Sequence, residues 1–537
     1  MPLTIGALLL AASAPVPVLA AGATPSPLIL DQGRADRLPA AAPPAPAPPA
    51  PTTVTRIDEA GDGAPIRAVR FEGTRVPAVV GRAAERFVGR PTDRATLEAL
   101  ARAMSDAYAR SDVALYTLLI PAQRPGGTVR VVVAEGHVEA IDYSGGASPL
   151  VRAYAERLKA ERPLTRRTLE RVLSLIRDIP GGAFDVQLRQ GRTPGGVVAA
   201  ITSKRKRRDL ALGFDNRGAT LLGDGQIRAE AHIFSGLRDG DRTDLTALAS
   251  PDFRRLRYIS AQHATPIGAD GLSLSLSAGY LRTRPRRTVI DGDARTAGVT
   301  LAWPLLRGYR RNLTLSLGLD ALNSDAAAFG NLLSSDRTRA MRLAAGYSDA
   351  RPKSAATLGA TLSRGLDILG ARGAAGFTDT VSTKLNLRAT YDRQVGRRLF
   401  ARARVAGQVS PDRLAPAERF AVGGAEFARA FDLATLNGDQ GAAGLAELAV
   451  RPKLPKLLDG SELYAFADAA RVRVQRRGFQ IGGDYDLASA GAGARLAIGP
   501  RAALELEAAR VLDRPFQGWR GGRWRINVGW RITAAKR

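Results

Sequence analysis

Leu272-Ser273-Leu274-Ser275-Leu276-Ser277-Ala278-Gly279-Tyr280 alternates an apolar or aromatic residue with a small one at every step. A strand turns successive side chains to opposite faces, so the leucines share one face and the serines the other. One face then meets an apolar medium and the other meets water. Leu313-Thr314-Leu315-Ser316-Leu317-Gly318-Leu319 repeats the pattern. From about Leu210 to the C-terminus such segments number about sixteen, and an even count is what a bacterial membrane barrel requires. A soluble sandwich or propeller alternates too. A sandwich of this size leaves many strand edges to close, and no blade-length repeat is present. A closed ring in lipid satisfies every edge. The expectation is a transmembrane antiparallel β-barrel of about sixteen strands over residues 206–537.

Composition agrees with a folded chain: 537 residues, 45% hydrophobic and 24% charged. The mature region holds no uncharged apolar run of about 18 residues, the length a membrane helix needs. The absence of Cys excludes a disulfide framework and thiolate chemistry. A net charge of +27 raises nucleic-acid binding. The arginines are spread along the chain, and few stand beside aromatic residues as a stacking platform would need. No nucleic-acid partner is therefore expected. The one dense run, Lys204-Arg205-Lys206-Arg207-Arg208, falls just before the barrel. His137, His232 and His263 lie in different elements, and no phosphate loop, zinc spacing or nucleophile elbow occurs. No enzyme activity, cofactor, metal or catalytic residue is expected.

The N-terminus resembles an export signal over residues 1–20. Ile5 to Ala12 is a short apolar core, and Val18-Leu19-Ala20 offers small residues for cleavage. Residues 21–64 form a Pro/Ala-rich linker, with an extended spacer from Pro39 to Pro51. Pro27 to Leu38 has room for one short helix.

Two small α/β units follow, at 65–137 and 138–205. In the first, Ile66 to Phe71 reads as a strand. Val76, Val79, Val80, Ala83 and Phe87 recur at helical spacing, and so do Leu97, Leu100, Ala101, Met104 and Tyr108, with Asp93 and Thr96 near the start. Val113 to Ile120 and Val129 to Val133 close the unit as strands. The second unit repeats this β-α-α-β-β order from Val138 to Ile201.

The first unit closes with Leu119-Ile120-Pro121-Ala122-Gln123 and Val133-Ala134-Glu135-Gly136 and resembles a POTRA domain, the periplasmic client-binding module of outer-membrane protein transporters. Further stretches extend the likeness: Asp178-Ile179-Pro180-Gly181, Asp215-Asn216-Arg217-Gly218, Phe420-Ala421-Val422-Gly423-Gly424, Ala428-Arg429-Ala430-Phe431, Asn437-Gly438-Asp439-Gln440-Gly441 and Phe466-Ala467-Asp468-Ala469. In this order the chain resembles the two-partner secretion transporters of the TpsB type, the ShlB/FhaC/HecB-like hemolysin secretion/activation family.

That resemblance implies an outer-membrane pore, with POTRA domains in the periplasm, that recognises a secreted exoprotein by its N-terminal secretion domain. The client would be hemolysin- or adhesin-like and β-helical outside the cell. The implied surroundings are outer-membrane lipid and, during biogenesis, periplasmic chaperones and the barrel assembly machinery, with the barrel monomeric. The resemblance also implies an N-terminal plug helix, a part for the short helix at Pro27 to Leu38. It further implies a long inward loop at about 409–441 whose arginine, Arg429, pairs with Asp468 on the inner wall. A guanidinium fork suits a carboxylate. Gly423, Gly424, Ala428, Ala430 and Phe431 form the loop motif. Ala430 replaces the family's glycine, so a tip needing positive φ is expected to be strained there. Pro121, Gln123, Glu135 and Gly136 are read as shaping the POTRA fold, and Asp215, Asn216, Arg217 and Gly218 as a turn at the barrel entrance. Trp524, Val528 and Trp530 alternate in a last strand, with Thr533 to Arg537 as a tail beyond it. The competing reading is an outer-membrane barrel assembly and insertion factor of the same superfamily.

Overall fold

The computed structural model describes residues 55–57, 63–122, 126–329, 331–478, 481–515, 519 and 521–534. The expected signal peptide, the plug segment and Gln123 lie outside these residues.

The first unit is built from β2 (Ala68–Gly73), α1 (Ala78–Glu85), α2 (Arg94–Arg110), β3 (Tyr116–Ile120) and β4 (Thr128–Glu135). Asp93 caps α2 by accepting the Thr96 N–H at 2.7 Å, which satisfies one donor that the first helical turn leaves free. Leu97, Leu100, Ala101, Met104 and Tyr108 pack down one buried face of α2 onto Leu118, Ile120, Val129 and Val131 of the sheet. The sheet has a fourth strand that the sequence pattern did not suggest. β1 (Thr55–Ile57) pairs in parallel with the outer edge of β3, with Ile57 opposite Ile120 and packed on the core. The segment 21–64 is therefore not a spacer throughout.

The second unit comprises β5 (His137–Ser144), α3 (Pro149–Glu156), α4 (Arg166–Arg177), β6 (Gly182–Gln190) and β7 (Gly196–Arg205), in the sheet order β5-β7-β6. Ser148 caps α3 and Thr165 caps α4. The units are fused: Leu115, just before β3, sits in the second core. Gly136 lets them touch, because a Cβ there would stand 2.5 Å from the Leu115 Cβ.

The barrel begins with β8 (Arg208–Asp215), β9 (Gln226–Phe234), β10 (Arg242–Ala249), β11 (Leu256–Ile267) and β12 (Leu272–Thr283). It continues through β13 (Ile290–Arg307), β14 (Arg311–Ala328), β15 (Asn331–Arg351), β16 (Ser354–Gly365), β17 (Thr383–Gln394) and β18 (Leu399–Val409). A short separate hairpin follows, β19 (Phe420–Val422) with β20 (Leu436–Gly438). The ring closes through β21 (Gln440–Val450), β22 (Glu462–Val474), β23 (Gly483–Ile498), β24 (Ala502–Asp513) and β25 (Trp524–Ala534), which pairs antiparallel with β8. Sixteen strands form the closed wall. The expected fold, two α/β units and a sixteen-stranded antiparallel barrel, is the observed one.

Leu276, Leu317, Leu319 and Ile526 are exposed on the outer wall, where lipid would cover them. Trp303 and Trp530 stand toward the end facing the small units, and Trp524 stands toward the other. Thr533 and Ala534 belong to the last ladder, opposite Ala211 and Leu210, so they are not a tail. Their backbone groups close the ring, which is why the strand runs on past Trp530.

The second unit docks on three barrel turns. Arg157 and Arg171 reach Asp270 at 2.7 and 3.2 Å, Arg205 reaches Asp239 at 2.6 Å, and Arg307 forks onto Asp178 at 2.6 Å. Tyr309 packs against the second core.

Candidate functional site in the barrel lumen

Residues 410–439, between β18 and β21, lie inside the ring. The inward face of β22 shows what they cover: Glu462, Tyr464, Phe466, Asp468, Ala470 and Val472 are buried, while their neighbours on the outer face are exposed. Phe427, Ala428, Arg429, Ala430 and Phe431 fill the space against that wall. Gly423 and Gly424 have φ of 114° and 104°, a backbone that lets the chain turn sharply before the tip.

Arg429 and Asp468 meet, but not through the guanidinium. The Arg429 backbone N–H donates to Asp468 Oδ2 at 3.2 Å. The Ser489 hydroxyl donates to Asp468 Oδ1 at 2.5 Å. The guanidinium instead lies over the Phe466 ring, 4.6 Å from its centre. One nitrogen, Nη1, reaches Glu447 Oε2 at 3.3 Å and Glu507 Oε2 at 3.1 Å. Register explains the departure from the expected fork. Glu447 stands opposite Phe466, whereas Asp468 stands between Leu445 and Ser489. The ring steers the cation along the wall to the glutamates, and Asp468 is left to take the backbone.

The expected strain also falls elsewhere. The left-handed residue at the tip is Ala428, with φ of 54°, and not Ala430. The Asn527 amide donates to the Arg429 carbonyl at 3.1 Å and so fixes the tip from β25.

Asp215, Asn216, Arg217 and Gly218 form the turn at the end of β8 remote from the small units, on the closing seam. Asp215 Oδ1 accepts the Arg217 N–H at 2.9 Å, and the Asn216 side chain bonds β25 at the Ile526 carbonyl and the Val528 N–H. That geometry turns Arg217 into the lumen, where it meets Glu507 Oε1 at 2.9 Å and Glu505 at 3.3 Å. Gly218 offers its carbonyl to Arg525.

The network continues across the wall. Arg495 forks onto Glu447 at 2.7 Å, and Arg402 joins Glu447 and Glu462. Tyr464 donates to Glu507 at 2.9 Å. Removing one member of such a buried set leaves the others as uncompensated charge, at a cost of roughly 3–5 kcal/mol.

The segment is tied to the opposite wall as well. Glu418 accepts Arg342 of β15 at 2.8 Å and Lys384 of β17 at 2.7 Å. At its outer end the buried Asp439 carboxylate holds Arg477 and the Leu414 and Gln475 N–H groups. Arg477 also bonds the Phe377 and Leu414 carbonyls. A cavity of about 310 Å³ beside Ala430 to Thr435 and Trp519 gives the tip room.

Sequence reasoning missed Glu447, Glu507, Arg402, Arg495, Glu418 and Arg477. Asp439 stood in a quoted motif, which was a usable signal. In the first small unit, Glu135 accepts the Tyr108 hydroxyl at 3.1 Å and Gly136 sits at the junction, while Pro121 follows directly on β3.

The haemolysin secretion/activation protein family ShlB/FhaC/HecB matches residues 196–496, more than half of the chain. The chain belongs to this family. It is an outer-membrane β-barrel protein of this family. It is 24% identical over 366 residues to the outer membrane transporter CdiB of Escherichia coli, a match that takes in 64% of this chain and 61% of that protein. The chain thus spans less than two thirds of the length of the curated relative it matches. Among solved structures, CdiB from Escherichia coli superposes with a TM-score of 0.73 at 20% identity, covering 94% of this chain and 97% of that one. CdiB from Acinetobacter baumannii gives 0.64 at 16% identity, covering 94% and 96%. BamA from Haemophilus ducreyi lacking POTRA domains 1-3 gives 0.50 at 12%, covering 87% and 99%. These likenesses carry the fold.

Proposed function

We propose that this ShlB/FhaC/HecB-family member is the pore of a two-partner secretion system, and that it moves one dedicated exoprotein from the periplasm to the cell exterior. The observation that carries the reading is the segment 410–439, held across the lumen between Arg342 and Lys384 on one wall and Glu447 and Glu507 on the other. A wall-to-wall strap of ion pairs keeps a wide barrel shut and opens only as a unit. On this reading Arg429, with Asp468 as its backbone acceptor, is the latch.

The client is an extended, hemolysin- or adhesin-like chain with an N-terminal secretion domain. It is captured as an added strand, where main-chain hydrogen bonds give affinity with little demand on sequence. In the first sheet the three-residue β1 covers β3 and is itself the edge, whereas the second sheet ends at the nine-residue β6, whose outer side pairs with no strand among the described residues. Folding of the client outside supplies direction.

The test is quantitative mass spectrometry of the medium and the outer membrane with the gene deleted and restored. Loss of one or two large secreted proteins, with other barrels intact, supports the pore. Broad loss of barrel proteins establishes the assembly factor instead.

A further inference from the structure

The barrel rim facing the small units is divided in two. Its turns at 235–241, 268–271 and 308–310 carry the contacts to the second unit, and their acids Asp239 and Asp270 are paired with arginines of that unit. The remaining turns, at 352–353, 395–398, 451–461 and 499–501, present Lys353, Arg397, Arg398, Lys453, Lys456 and Arg501. All six are exposed, and among the described residues none has an ion-pair partner.

Exposed apolar side chains stand among these cations. Val395 is 58% exposed, Leu454 36% and Leu457 63%. The strands that flank these turns carry exposed Leu399 and Val450 at their ends. In the longest turn, Lys453-Leu454-Pro455-Lys456-Leu457 interleaves the two kinds of residue around a single helical turn at Lys456–Leu458. Cations beside exposed leucines, one to six residues from the nearest end of a lipid-facing strand, match the boundary between acyl chains and headgroups.

We propose that this half of the rim binds anionic phospholipid headgroups of the periplasmic leaflet, and that it anchors the barrel opposite the docked POTRA unit. Lipid is favoured over an acidic client by where the free charge lies. On the lumen side of the same rim, Arg402, Arg451 and Arg495 are taken up by Glu447 and Glu462. The unpaired cations lie outside that set. The same half-rim accounts for part of the +27 net charge.

The full chain is purified in detergent with equal amounts of phosphatidylethanolamine and phosphatidylglycerol, and retained lipids are counted by native mass spectrometry. The wild type is expected to prefer phosphatidylglycerol, by roughly five-fold for each cation engaged. The variant carrying K353Q, R397Q, R398Q, K453Q, K456Q and R501Q is expected to lose that preference. A control with R254Q, R286Q and R287Q at the other end of the barrel keeps it. If the six-fold variant does not fold, K453Q with K456Q alone is read the same way and loses part of the preference. A preference unchanged in the rim variants overturns the proposal. So does a preference abolished by millimolar inorganic phosphate, which marks a free-anion site. Binding of a polyglutamate peptide without lipid preference overturns it in favour of an acidic client.

Discussion

Arg217 and Arg429 meet on one carboxylate: Arg217 reaches Glu507 Oε1 at 2.9 Å, and Arg429 reaches Glu507 Oε2 at 3.1 Å. One residue comes from the loop after the first barrel strand and the other from the strap across the lumen. Glu507 therefore couples the closing seam to the strap, and Asn527 opposite it on β25 bonds both the carboxylate and the Arg429 carbonyl.

Glu507→Ala leaves two buried guanidiniums without that partner, a loss of roughly 3–5 kcal/mol. Asp468→Asn keeps an oxygen to accept the Arg429 N–H and costs about 1 kcal/mol. In planar bilayers the Glu507 variant is expected to open far more often than the wild type, while the Asp468 variant stays close to it. Equal opening by the two would show that the glutamate is not the principal anchor.

Asp439 and Arg477 close the outer end, so Arg477→Ala is expected to raise conductance on its own. Combined with Arg429→Ala, it should fall short of additivity, because the two arginines secure one continuous segment. Strict additivity of the two gating free energies would mean that the strap does not move as a unit.

Ala428 carries the left-handed backbone, which costs a non-glycine residue roughly 1–2 kcal/mol. Ala428→Gly removes that strain, whereas Ala430→Gly removes none and adds the entropy of glycine to the unfolded chain, about 0.5–1 kcal/mol. The temperature at which the folded band converts on a semi-native gel should be higher for the first variant than for the second. The reverse order would place the strain at Ala430.

Docking of the second POTRA unit depends on Asp270 and Asp239. Burial raises both carboxyls, but Arg157 and Arg171 at Asp270, and the Leu150 N–H and Arg205 at Asp239, outweigh it and hold both below the ordinary value. A lowered carboxyl strengthens docking above the ordinary pKa of about 3.9, and that contribution is lost as pH falls through the lowered value. Spin labels at Q190C and K353C in this Cys-free chain should report one distance from pH 8 to 5 and a broadened one only below about 4. Broadening between pH 5 and 7 would assign the docking to other groups.

The barrel was legible because period-two alternation such as Leu272 to Tyr280 has one physical cause, and the POTRA helices because Leu97, Leu100, Met104 and Tyr108 share a face. The strap was legible through its resemblance. Its partners were not. Glu447 and Glu507 look like any polar residue on a wet strand face. Only the register, Glu447 opposite Phe466 and Glu507 opposite Asn527, brings them to Arg429. Register across four strands is not written in any one of them. β1 was missed for a different reason: three residues, Thr-Arg-Ile, are too few to show a period.

β1 has a consequence for the life of the chain before it reaches its membrane. An uncovered β3 edge offers a row of unpaired amides and carbonyls to any neighbouring chain. With Thr55–Ile57 laid along it, the outermost strand of that edge is only three residues long. Newly exported copies, crowded together and still without a barrel, would then find a shorter edge on which to stick to each other.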